Sequence, residues 1–196
     1  MSASCGHDVS FDGTSAGYRR ALWAVIALNA GMFVVEITAG ALAGSQALRA
    51  DALDFLADAL TYGASLWVIG RAARLRAKVA LVKGISLLLM GLWVFGSTVW
   101  LVFGPGLPRA EVMGAVGTLA LAANLASVLI LMRYREGDAN VRSVWLCSRN
   151  DAVGNVAVMA AALAVGLTAT PWPDLLVAVV MATLALSGKG LKMVRY

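Results

Sequence analysis

The chain has 196 residues, 60% of them hydrophobic and only 14% charged, with a mean hydropathy of +0.79. Soluble domains carry about 25% charged residues, so this composition argues against an ordinary soluble fold and for an integral membrane protein. The net charge of +5 falls at the ends of apolar runs, which argues against a nucleic-acid partner, and two distant cysteines, Cys5 and Cys147, do not make a disulfide framework.

A span needs about 20 apolar residues. The length therefore admits an all-α membrane bundle of six transmembrane helices with short connections. Residues 1–18 read as a cytoplasmic tail, 19–191 as the six-span domain and 192–196 as a second short tail. The first apolar run lacks a convincing cleavage site, so no cleavable signal peptide is expected. In the first tail, Cys5, His7 and Asp8 supply three metal-ligand types in four residues; they read either as a capture site or as plain disordered tail.

The first span is expected over 21–44 and carries Asn29 and Glu36. Glu36 reads equally as a proton carrier or counter-ion and as a packing residue hydrogen-bonded to a neighbouring helix. The second span is expected over 46–70 and carries Asp51, Asp54 and Asp58 on one stripe. Adjacent carboxylates cannot all ionise cheaply in a low dielectric unless a cation sits among them. Asp51 reads either as part of that set or as a solvated residue at the outer interface. The third span is expected over 79–103, followed by the helix-breaking run Gly104-Pro105-Gly106-Leu107-Pro108. The fourth is expected over 111–132, where Asn124 reads as an interhelical hydrogen-bonding residue.

The fifth span, over 142–167, carries Cys147, Asp151 and Asn155 at successive i, i+4 steps. A thiolate is a good ligand for zinc or cadmium, and a carboxylate adds a hard oxygen. Arg149 points away from that stripe, toward an acid such as Glu36 or Asp51 or toward the cytoplasmic interface. The run Thr170-Pro171-Trp172-Pro173-Asp174 is the next break, with Pro173 suited to a first helical turn, and the sixth span is expected over 174–191.

Lysine and arginine set the orientation. Arg71, Arg74, Arg76 and Lys78 follow the second span, and Arg133, Arg135 and Arg142 lie between the fourth and fifth. The tails hold Arg19, Arg20, Lys189, Lys192 and Arg195, against Arg49 and Arg109 on the opposite side. Both termini are therefore expected in the cytoplasm, in a bacterial inner or plasma membrane.

Asp54-x-x-x-Asp58 and Cys147-x-x-x-Asp151 thus place four ligands on two helices. Packed together they would offer one tetrahedral site to a divalent metal. Because binding a cation displaces protons from such ligands, the site could exchange the two. Asp51, Asn155 and Glu36 are accessory candidates. An intramembrane aspartyl hydrolase using Asp58 and Asp151 is a rival reading, although the Gly-x-Gly-Asp pattern of known intramembrane aspartyl proteases is absent before Asp151. A transport-dead, metal-binding partner subunit is another.

The run Ser45-Gln46-Ala47-Leu48 through Asp51, Asp54 and Asp58 resembles the second span of the cation diffusion facilitator family. Asn29, Glu36 and Gly40 fit its first span. Cys147-x-x-x-Asp151, followed by Ala152, Val153 and Gly154, is similar to its fifth, which usually begins with His. The resemblance implies a six-helix, generally dimeric, non-enzymatic exporter of zinc and related cations such as cadmium, cobalt or iron, in exchange for protons. It implies no cofactor beyond the transported ion, zinc first. Two departures stand out. Cys147 replaces the usual His and Asp54 a frequent one, which alters the donor set. The family's cytoplasmic domain after the sixth span is expected to be missing, leaving any homodimer to form through helices set in membrane lipid.

Overall fold

The computed structural model describes residues 15–68, 85, 89, 92–93, 95–100, 106–134 and 139–184. Among these there is no strand. Helix α1 spans Ala16–Ala43, α2 spans Gln46–Val68, α3 spans Ala110–Leu131, α4 spans Ala139–Thr168 and α5 spans Trp172–Leu184. Of the expected third span, residues 85, 89, 92–93 and 95–100 are described and helical, and the rest lies outside the described residues.

Local chemistry sets the helix ends. Ser15 begins α1, its hydroxyl accepting the Tyr18 N–H at 3.2 Å, as an N-cap should. Gly44 ends it with φ of 70°, a left-handed conformation that costs a residue without Cβ nothing. The Ser45 N–H then closes onto the Gly40 carbonyl at 3.0 Å, and the Arg109 N–H reaches the Ala43 carbonyl at 3.0 Å. One tight turn therefore reverses the chain into α2 and also fastens the start of α3.

At the start of α2 the capping carboxylate comes from another helix. Asp174, fully buried in the first turn of α5, accepts the Ser45 hydroxyl at 2.6 Å. It also accepts the N–H groups of Gln46 at 2.8 Å and Ala47 at 3.1 Å. Ser45 accepts from the Leu48 N–H at 3.1 Å.

The interior is layered. At one end Ala47, Leu48, Met113, Val158, Ala161 and Ala178 join α2, α3, α4 and α5. Met32, Phe55, Ala120 and Ala123 fill the middle. Tyr18, Leu22, Val25, Tyr62, Leu66 and Leu131 close the other end, where Tyr18 stands edge-on to Tyr134 with ring centres 5.2 Å apart. Small residues bring helices together: a Cβ at Gly40 would lie 3.0 Å from Arg49 Cγ and 3.2 Å from Arg49 N.

Large apolar side chains face outward as well, with Leu42 80% and Leu167 78% exposed. An apolar exterior over an apolar interior is what a bilayer-embedded helix shows. Among the described residues, three helical stretches are long and apolar enough to cross a membrane: Ala16–Ala43, Ala110–Tyr134 and Asp151–Thr168. The protein is an all-helical integral membrane protein.

Candidate metal centre

The acidic stripe of α2 faces inward. Asp51 and Asp58 are buried and Asp54 is half-buried, so Asp51 is not a solvated interface residue. Glu36, on α1, is completely buried and lies within electrostatic reach of Asp51 and Asp54. Asp51 and Asp54 thus lie near Glu36 where α1 packs along α2, the most extensive helix pair described. Asn29, two helical turns before Glu36 on the same face of α1, is also buried. Its amide is spent on its own helix, donating to the Val25 carbonyl at 2.8 Å.

The two motif-bearing helices, α2 and α4, touch. Their polar link runs through a residue outside either motif. The Tyr62 hydroxyl donates to Asp58 Oδ2 and lies 3.5 Å from Ser148 Oγ. Tyr62 and Ser148 are both wholly buried. Ser148 sits beside Cys147 and one turn before Asp151, so the Asp58–Tyr62–Ser148 chain ties the first motif to the second.

Asp151 is half-buried in α4. Asn155, one turn further, is completely buried, and among the described residues neither its amide oxygen nor its amide nitrogen has a hydrogen-bond partner. A polar group in that position costs free energy unless something fills the gap, and an amide oxygen is an acceptable metal ligand. The backbone of Cys147 belongs to α4, but its side chain lies outside the described residues. The same holds for Arg149, and residues 1–14, with Cys5, His7 and Asp8, lie outside altogether. Among the described residues no three His, Cys, Asp or Glu side chains stand close enough together to hold a metal ion.

The reading of the sequence passed over Tyr62, Ser148 and Asp174. Tyr62 extends the stripe of Asp54 and Asp58 by one more i+4 step, which was a usable signal. Ser148 adjoins the second motif but is off its i+4 register. Asp174 carried no local signal, because its partners are more than 120 residues away.

A family model described as the cation efflux transmembrane domain matches residues 22–195. The chain belongs to the cation efflux family. The family is one of cation efflux transporters, not of aspartyl hydrolases. A metal cation efflux system protein of Cupriavidus metallidurans, CzcD, is 26% identical over 92% of this chain and 60% of its own length. A cation efflux system protein CzcD of an Alcaligenes species gives the same values. The zinc transporter ZitB of Pectobacterium atrosepticum is 28% identical over 76% of this chain and 51% of its own length. The chain thus spans between half and two thirds of the curated relatives it matches.

Proposed function

We propose that this cation efflux protein exports a divalent heavy-metal cation, zinc first, in exchange for protons, using six spans with both termini in the cytoplasm. Asp54 and Asp58 of α2 and Cys147 and Asp151 of α4 are its metal ligands, with Asp51, Asn155 and Glu36 as accessory groups. The observation that carries this reading is the contact of α2 and α4 at Asp58, Tyr62 and Ser148, which sets the two motif-bearing helices against each other. The names of CzcD and ZitB, a metal cation efflux system protein and a zinc transporter, support the cation class.

Transport requires the ligands to face each side of the membrane in turn, through rocking of helices about a central site. Outside, protons compete for the carboxylates and release the metal. Inside, at lower proton activity, the carboxylates recapture it. A thiolate among the ligands favours soft or borderline ions, so zinc and cadmium are preferred over magnesium or calcium. A dimer, where it forms, is held by membrane helices.

The test is metal uptake into vesicles by purified protein. Asp58→Ala and Asp151→Ala should each abolish zinc uptake while leaving the protein folded. Full uptake by both variants would refute the site. Metal binding without uptake by the unaltered protein would instead support the transport-dead partner subunit.

A further inference from the structure

The carboxylate of Asp174 does more than terminate a helix. The first free N–H groups of α2, those of Gln46, Ala47 and Leu48, are all taken up by Asp174 and Ser45, and the Ser45 hydroxyl itself donates to Asp174. A local cap would have sufficed to satisfy a helix start. Here the acceptor comes from α5, is fully buried, and has Arg49 within electrostatic reach. A negative charge at this end of α2 is favoured by the helix dipole. Being buried, it is also costly to leave without donors. The contact therefore fixes one end of α2 in depth and in rotation.

That end is the base of a lever. Asp51, Asp54 and Asp58 follow Gln46 on the same uninterrupted helix. Asp58 stands about 18 Å along it at 1.5 Å per residue. A small change of tilt or rotation at Gln46 moves the carboxylate of Asp58 by more than hydrogen-bond tolerance. We infer that Asp174 is a positioning residue for metal transport: it locks the start of α5 to the start of α2, so that the two ends move as one and the acidic stripe of α2 is held in the orientation that binds metal. The inference rests on the reading of α2 as a metal-bearing helix.

The experiment uses the full chain in proteoliposomes, with zinc as the probe. It reads the amount of folded transporter, the maximal uptake rate per folded molecule and the KM for zinc. Asp174→Asn keeps the size of the side chain but offers one acceptor oxygen, leaving one of the two α2 N–H groups without a partner. Its KM should rise about tenfold, because the binding-competent orientation becomes a minor population, while the maximal rate per folded molecule is largely kept. Ser45→Ala should shift KM the same way and Ser45→Thr, which retains the hydroxyl, should restore it. If Asp174→Asn yields no folded protein, the Ser45 pair decides.

Unchanged KM in Asp174→Asn and Ser45→Ala, with a lower folded yield, would reduce the contact to a folding cap and overturn the inference alone. No zinc uptake by the unaltered protein, or full uptake by Asp58→Asn, would overturn the metal-site reading and this inference with it.

Discussion

Asp58 and Tyr62 form the most informative pair of side chains in the protein. The hydroxyl of Tyr62 donates to the Asp58 carboxylate, approaches Ser148 on α4, and sits over the apolar layer of Tyr18, Leu22 and Leu66. Tyr62→Phe keeps that packing and deletes only the hydroxyl. It should cost about 1 kcal/mol of stability and raise the zinc concentration for half-maximal uptake, read from thermal unfolding in detergent and vesicle uptake on the same preparation. Equal KM values for the two proteins would mean that the link does not orient Asp58. At Cys147 the donor type is the point: Cys147→Asp should lower the affinity for cadmium more than that for zinc, because a hard oxygen replaces a soft sulfur. Calorimetric titration with both metals measures that ratio, and an unchanged ratio would remove the thiolate from the ligand set. The two motifs were legible because acids are rare at membrane depth and i+4 spacing declares a shared face. Tyr62 was less legible, since a tyrosine in an apolar helix reads first as packing.

Among the helices, the apolar runs and their Gly and Pro punctuation located both ends of α1, α3 and α4 and the starts of α2 and α5 to within about five residues, while the expected ends at 70 and 191 lie outside the described residues. The shifts have local causes. Helix α1 starts at Ala16 rather than 21 because Ser15 caps it, and the charged pair Arg19–Arg20 is helical although it reads as flanking sequence. Helix α4 starts at Ala139 rather than 142, since polarity marks the edge of an apolar run, not the end of helical backbone. Helix α2, expected as a span, carries Arg49, Asp51, Asp54 and Asp58 and is not one of the three described stretches apolar enough by composition to cross a membrane; it packs along α1. Gly40 makes that packing close. Gly40→Leu would force Leu48 and Arg49 aside and should destabilise the protein by about 1–3 kcal/mol, with a lower unfolding temperature in detergent. Retention of the native unfolding temperature would show that α1 and α2 have slack at this crossing. The Asp174 contact could not be read from the chain, because it joins residues distant in sequence through tertiary structure alone.

For the whole molecule, the buried acidic residues of α1 and α2 lie beside a central apolar cluster, with a further apolar layer at each end. One layer is built on the start of α2 and the end of α4, the other on the start of α1 and the end of α2. A cation held at the proposed site would be shielded by these layers until helices move, which is what alternating access requires. On the proposed orientation, drawn from the positive-inside rule, the Tyr18 layer faces the cytoplasm. A protease-cleavable tag at the N-terminus should therefore be cut only after cells are opened, and cleavage in intact cells would reverse the orientation.

The most direct test of exchange at a site shared by α2 and α4 is metal-dependent proton flux in proteoliposomes, comparing zinc, cadmium, cobalt and iron and including Asp58→Ala. The account predicts proton movement that requires zinc or cadmium and vanishes in Asp58→Ala. Metal uptake without proton movement, or flux that survives in the variant, would contradict it.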